Sequence, residues 1–430
     1  MPTEGHLSFL PQDDTAVTTN ANTRINLNFF INNLNNYSKI KEYLANKELH
    51  AYLNIANTVG NQAFILKYKS ELGDLTNFIA EQNKLSPKFK IKLPALQKAG
   101  GFITTRSLEQ CTAEAVANYK STLIIGDNIL TLASGLGIDD MAIAANCQNL
   151  VSVDNDEALN ALTEYNFNLL GLKNIVRLTQ KAEEFIANNS MVFDAIYIDP
   201  DRRDGEQRQL KLAEHQPNVI NLLPNLLNIS SQIWIKCSPL YDLDMAQQEF
   251  AELEAIYIIS FKGEVKEMLL KIGHQSDSQI KIFCTDIGTN TIKTVEIDDL
   301  KIPILADTLS GYFYEAGASL VKARRHHAYA HTMDLKLIDK SVPFYIGPAA
   351  TLNFMGKCMA IKATLPLNPK QIKLYLKSQQ LSQINIKARG VKCDIPSLFK
   401  TCGVKEGGED FLFLTPFKGK QMAIHCELLQ

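Results

Sequence analysis

The sequence predicts an α/β fold: a doubly wound parallel sheet, with a helical module before it and a small α+β part after it. Three observations predict it. Short apolar runs alternate with helical stretches between residues 128 and 238. Apolar residues recur at helical spacing ahead of them, and mixed strand and helix segments follow where the charge turns strongly basic.

Each element carries its own signal. Over 25–83, Ile40, Tyr43, Leu44, Tyr52, Leu53 and Ile55, then Phe64, Ile65, Tyr68, Leu72, Leu75, Phe78 and Ile79, follow helical spacing. The stretch KLSPKFKIKLPALQKAGG (84–101), with two prolines, adjacent glycines and several lysines, reads as a connector. A helix over 107–121 is expected to start at Ser107 as N-cap. Strands are predicted at 128–133, 149–154, 174–179, 193–199 and 232–238. With the helices between them they make five βα units, which is the pattern of a Rossmann-like parallel sheet. The runs 254–263 and 266–272 lie too close for a crossover helix, so they predict an antiparallel hairpin at the sheet edge. A second hairpin is predicted over 278–300. The segments MAIKATLPL, NPKQIKLYLKSQ and DFLFLTPF predict a small α+β module near the end. The expected boundaries are 1–100 for the helical module and linker, 101–275 for the core, 276–319 for a β-rich insert and 320–430 for the basic module.

Composition narrows the class. The 430 residues are 46% hydrophobic and 21% charged, as in ordinary globular proteins. No apolar run reaches the roughly 18 residues of a membrane span. The start, MPTEGHLSFLPQDD, lacks the basic-then-apolar layout of a secretory signal. A cytoplasmic protein without a membrane partner is therefore expected. Eight cysteines with no C-x-x-C pair predict buried thiols rather than a zinc site or a disulfide framework. The net charge of -2 is unevenly spread. Residues 320–430 hold 17 Lys and Arg against 7 Asp and Glu, a net +10, which leaves -12 for the rest. That asymmetry predicts a polyanion-binding module on a body with another task.

Open α/β sheets bind ligands at the carboxyl ends of their strands. The loop LASGLGID (132–139) follows the first predicted strand and offers Gly135 and Gly137, whose missing Cβ allows a tight turn and close approach. Asp154 ends the second strand, where a carboxylate can accept both hydroxyls of a ribose. Ile138, Asp139 and Asp140 stand where a dinucleotide's pyrophosphate would lie, and the two acids would repel it. They suit a sulfonium cation, so S-adenosylmethionine is expected in preference to NAD.

AIYIDPDRRDG (195–205) leaves the fourth strand beside that loop. Asp199 and Pro200 match the place where adenosylmethionine enzymes hold an acceptor amine, its lone pair aimed at the methyl group. Arg202 is expected to stack on a base and Arg203 to hold a phosphate. Two alternatives were weighed. Cys237, after the fifth strand, stands where some cytosine-5 enzymes keep a nucleophilic thiol, although no cysteine follows Pro200. His327 and His331 share i, i+4 spacing but lack an acidic third ligand, so no metal is expected and 312–331 reads as a phosphate-facing surface.

LEQCTAEAVANYKS, ASGLGID, IYIDPDRR, IKCSPLYDLD, YFYEAGASLVKA and KEGGEDFLF together resemble a bacterial family of class I S-adenosylmethionine-dependent methyltransferases with a ferredoxin-like insert and a C-terminal THUMP-like domain. The similarity spans about residues 85–430. It implies a seven-stranded methyltransferase core, S-adenosylmethionine as cofactor and, through the THUMP-like domain, structured RNA such as tRNA or rRNA as substrate, with no DNA. It implies Thr131, Ala133, Gly135, Gly137, Asp154, Asn155, Glu183 and Asp199 at the cofactor, and Asp199, Pro200, Arg202 and Arg203 at the acceptor. Two positions depart from the general pattern. Thr131 replaces the acid expected in the first strand, and Lys181 stands where an Asp often meets adenine, with Glu183 two residues on. The alternatives are an RNA-binding factor with a degenerate methyltransferase fold, or a methyltransferase of protein or a small molecule.

Overall fold

The computed structural model describes residues 39–202, 212–273, 279–288, 291–297, 301–351 and 353–429. Among the described residues seven helices come first: α1 (Ile40–Leu44), α2 (Leu49–Val59), α3 (Asn61–Leu72), α4 (Leu75–Lys92), α5 (Pro94–Ala99), α6 (Thr105–Gln110) and α7 (Glu114–Ser121). The connector expected over 84–101 is mostly helical, because Leu85, Phe89, Leu93 and Leu96 recur at turn spacing and are all buried. The single helix expected over 107–121 is two. Thr104 caps the first, its hydroxyl accepting from the Ser107 N–H at 3.1 Å. Extended backbone at Cys111 and Ala113 then ends it. The break lets Thr112 turn inward and donate to Asp139 at 3.1 Å.

The core alternates strand and helix: β1 (Asn128–Leu132), α8 (Ile138–Ala144), β2 (Asn149–Asp154), α9 (Glu157–Leu169), β3 (Ile175–Thr179), α10 (Ala182–Asn188), β4 (Ala195–Ile198), α11 (Val219–Ile229), β5 (Ile233–Cys237) and α12 (Leu243–Glu249). β6 (Leu253–Phe261), β7 (Glu264–Ile272), β8 (Lys281–Ile287) and β9 (Ile292–Glu296) complete a nine-stranded sheet in the order β9-β8-β6-β7-β5-β4-β1-β2-β3. The first five strands are parallel, and β7 runs antiparallel between β5 and β6. Buried side chains alternate across the sheet. Leu130, Ile196, Ile198 and Ile233 pack on one face, and Ile129, Ala195, Tyr197 and Trp234 on the other. The β6–β7 hairpin is not the sheet edge, contrary to the expectation. β6 is buried on both faces, and β8 pairs parallel to it, with β9 antiparallel beyond. The hairpin expected over 278–300 thus forms and covers that edge.

A second sheet of seven strands uses β10 (Tyr312–Ala316), β11 (Lys336–Leu337), β12 (Phe344–Gly347), β13 (Gly356–Pro366), β14 (Asn385–Ala388), β15 (Asp410–Phe417) and β16 (Lys420–Leu428), in the order β11-β12-β10-β13-β16-β15-β14. Helices α13 (Ala318–Lys322), α14 (His326–Thr332), α15 (Pro369–Ser378) and α16 (Ile395–Cys402) accompany it. One apolar core joins the sheets, since Ile258, Met268 and Ile282 pack in the same cluster as Tyr314, Leu320, Tyr345 and Phe354. Among the described residues, no helix is long and apolar enough to cross a membrane.

Candidate active site

Strand order reverses beside β1, whose neighbours are β2 and β4, and a cleft of about 1160 Å³ opens there at the carboxyl ends of the strands. One wall is the loop after β1. Ala133, Gly135 and Gly137 all take left-handed backbone, with φ of 54°, 54° and 70°. For Ala133 this costs on the order of 1–3 kcal/mol, a strain that clusters at functional sites. A Cβ on Gly137 would meet the Phe167 ring at 2.7 Å, so α9 can pack only against glycine there. Gly135 instead has open space on that side.

The loop is braced from beneath by a residue that sequence reasoning missed. Arg177 of β3 is buried and donates to the Gly135 carbonyl at 2.6 Å, Ser152 Oγ at 2.5 Å, Asn160 Oδ1 at 2.9 Å and Asp140 Oδ2 at 3.2 Å. From above, Asp154 accepts the Gly135 N–H at 2.8 Å on one oxygen and the Asp156 N–H at 3.0 Å on the other. Each carboxylate oxygen keeps a further lone pair, which is what two ribose hydroxyls would use. Asn155, Lys181 and Glu183 line the same end of the cleft. Thr131 does not. It is buried in β1, and its hydroxyl accepts from Ser134 at 2.9 Å.

Of the two acids expected beside the ligand, Asp139 borders the cleft and Asp140 turns inward. Asp140 is fully buried between Arg177 and Ser152; burial pushes its carboxyl up and Arg177 opposes the shift. Asp139 faces burial too, but Lys120, Lys236 and the Tyr197 hydroxyl outweigh it and hold the carboxyl below its ordinary value. Lys120 of α7 has no exposure and lies 2.8 Å from Asp139 and 2.6 Å from Glu267 of β7. It also donates to Tyr197 at 2.8 Å, and Tyr197 donates to Asp139 at 2.7 Å. With Asp199 and Lys236 the cluster sets three carboxylates against two ammonium groups, an excess that favours a cation in the cleft.

Asp199 follows β4 directly across from the loop, its N–H donating to the Leu132 carbonyl at 3.2 Å. Asp199, Pro200 and Asp201 all line the cleft. Lys236 donates to Asp199 Oδ2 at 2.7 Å. Arg202 is described through its backbone, which pairs with His215 in a two-residue ladder alongside Asp201 and Gln216. Arg203 lies outside the described residues. His215 also lines the cleft. Its imidazole is buried, and neither ring nitrogen has a hydrogen-bond partner among the described residues. The N-terminal helices supply the facing wall through Arg106, Ser107 and Gln110, and Arg106 reaches Asp201 at 3.6 Å.

The thiol of Cys237 borders the cleft but is buried, and burial pushes it well above its ordinary range, which speaks against a nucleophilic thiolate. His327 contacts Tyr345 OH at 3.2 Å. Among the described residues no three His, Cys, Asp or Glu side chains gather as a metal set. For two of the missed residues a signal existed: Lys236 in QIWIKCS and Arg177 in NIVRLT are charges within otherwise apolar strands, and such groups are rarely buried unless paired.

Residues 356–428 match the family model of the THUMP domain-like family. A 103-residue stretch is 29% identical to a Mycoplasma mobile protein named as an uncharacterized RNA methyltransferase, covering 23% of this chain. The match spans 28% of that relative, so the chain covers under a third of its length. A crystal structure from Porphyromonas gingivalis W83, assigned as a methyltransferase, superposes over 91% of this chain and 99% of its own, with a TM-score of 0.77 at 24% identity. In sheet order, structural likeness and domain match, the chain has the class I methyltransferase fold with a THUMP-like domain at its C-terminal end, the architecture its motifs resembled.

Proposed function

We propose that the protein transfers a methyl group from S-adenosylmethionine to a base nitrogen of structured RNA, tRNA or rRNA. One observation supports the reading above others: a single cleft at the switch point of this fold sets the braced loop and Asp154 opposite Asp199 and Pro200. The donor set fits the cofactor. Gly135 leaves room for the methionine end, Asp154 keeps lone pairs for the ribose, and the excess negative charge suits a sulfonium. When bound, S-adenosylmethionine supplies an already activated methyl group. The protein's task is then alignment and exclusion of water. Asp199 accepts a hydrogen bond from the acceptor nitrogen, while Arg106 and the ladder around His215 bound the space a base enters. The basic module, net +10 over 320–430, attracts the RNA backbone.

Isothermal titration of the whole chain with S-adenosylmethionine is the first test, with micromolar uptake expected. Nucleoside mass spectrometry of tRNA and rRNA from a strain lacking the gene should show one missing methylated nucleoside, restored when the purified protein and cofactor are added. A protein that retains RNA but takes up no cofactor at millimolar concentration is instead an RNA-binding factor on a degenerate methyltransferase fold.

A further inference from the structure

We infer that Lys236 is a positioning residue for the acceptor, and that the Asp199–Lys236 pair selects a nitrogen that carries a hydrogen. The inference rests on the methyl-transfer reading above. The register of the parallel strands places the two side chains together. Ile198 of β4 lies beside Ile235 of β5, so Asp199, just past the end of β4, and Lys236, still within β5, stand at the same level. The ammonium lies 2.7 Å from Asp199 Oδ2, and the Lys236 side chain is only 14% exposed. A lysine so enclosed is costly unless paired, and this one is also within the field of Glu267 and Asp139. It is therefore held charged and in place.

The consequence falls on Asp199. One carboxylate oxygen is tied to Lys236. The other has no hydrogen-bond partner among the described residues, and the side chain remains 32% exposed in the cleft. A carboxylate fixed this way offers one aimed acceptor and no donor. It can therefore grip an amino or imino N–H but gives nothing to a carbon nucleophile. The neighbouring Cys237, which a carbon acceptor would need as an attacking thiolate, is buried and pushed up instead. As the nitrogen's lone pair closes on the methyl carbon, the carbon–sulfur pair stays on sulfur. The nitrogen's proton leaves through the open Asp199 oxygen to water. Freed from Lys236, Asp199 would turn among rotamers, and the acceptor would lose its angle rather than its affinity.

The test compares wild type with Lys236→Met and Lys236→Arg, using S-adenosylmethionine and total RNA from a strain lacking the gene. Cofactor uptake by titration should stay within about threefold in all three. Lys236→Met should lower kcat about 10²-fold, the loss typical of a displaced reacting group, with KM for RNA little changed. Lys236→Arg should recover most of kcat, and the product nucleoside should carry its methyl on nitrogen. Should the methionine variant not fold, Lys236→Gln is read in its place with the same expectation. A methionine variant with wild-type kcat overturns this inference and leaves the proposed function standing; a methyl on carbon overturns it together with the nitrogen acceptor and leaves methyl transfer to RNA standing. A wild-type protein that takes up no cofactor overturns both.

Discussion

At the scale of single residues, Arg177 carries more than any side chain at the cleft surface. Its guanidinium ties β2, β3, α9 and the glycine loop into one unit, and among the described residues Asp140 has no other cation within bonding distance. Replacing it with Met leaves that carboxylate buried and uncompensated. Arg177→Met should therefore lose about 3–5 kcal/mol in urea unfolding. Cofactor affinity should fall with it, because the Gly135 carbonyl loses its anchor. A variant as stable as wild type would show that Asp140 simply takes up a proton. A second prediction concerns His326. Burial, with His327 beside it, holds this imidazole down to about 4. The unfolded chain binds a proton near 6.5, so folding stability is intact above that pH and is lost as the pH falls towards 4. The loss is on the order of 2 kcal/mol once partial exposure is discounted. His326→Leu should flatten the dependence of the urea midpoint between those pH values. These residues mark the limit of reading from sequence. Gly135, Asp154 and Asp199 could be placed at the cleft from the sequence, because each follows from a position at a strand end. Lys236 and Arg177 show in the sequence only as charges within apolar strands; their partners, like those of Lys120 on α7, come from other elements and depend on a register that no local pattern encodes.

At the scale of elements, the same contrast holds between strands and connections. β1 to β5 were legible within a residue or two, since each reads as a short, mainly apolar run between helical stretches. The segment before them differs from expectation: at 84–101 proline and glycine suggest a linker but buried leucines make it mostly helical, and the helix expected over 107–121 is broken in two. That segment builds the cleft wall. Gln82 donates to the Ile103 carbonyl at 2.7 Å and accepts the Ile103 N–H at 3.0 Å. Asn166 of α9 makes the same double bond with Phe102, at 2.9 and 3.0 Å. Two amide side chains thus bolt the wall to α4 on one side and to the core on the other. Asn166→Leu should cost about 1–3 kcal/mol by stranding both backbone groups of Phe102. It should also raise amide hydrogen exchange over residues 102–112 more than elsewhere. Unchanged exchange there would mean that apolar packing of Phe102 alone holds the wall. Cofactor uptake should weaken in parallel, because Ser107 and Gln110 lose their fixed place in the cleft.

At the scale of the molecule, the sheet that bears the cleft and the second sheet are packed together. Beyond their shared apolar cluster, Ser319 donates to Asp286 at 2.7 Å, Lys293 to the Phe354 carbonyl at 3.0 Å and Lys322 to the Tyr241 carbonyl at 2.9 Å. Arg324 adds an ion pair with Asp244 at 3.0 Å. Charge on the second sheet is therefore held at a set distance from Asp199, and under the proposed function RNA gripped there would reach the cleft at a set nucleotide. The surface best suited to grip it is the outer side of α15. Ile372 and Leu376 face the core, while Lys370, Lys373 and Lys377 lie together on the opposite side, exposed and without ion-pair partners among the described residues. Two nearby lysines are committed, Lys387 to Glu315 at 2.6 Å and Lys362 to Glu427 at 2.5 Å. Reversing the three free charges, Lys370→Glu, Lys373→Glu and Lys377→Glu, should weaken RNA retention in filter binding by tenfold or more at about 0.1 M salt. Each lost phosphate contact removes roughly 0.7–0.9 from the slope of log affinity against log salt, so the triple variant should lower that slope by about 2 to 3. Uptake of S-adenosylmethionine should not change, since the substitutions stand on another sheet. A slope equal to that of wild type would move the RNA to a different face and remove the fixed-distance account of how one nucleotide is chosen.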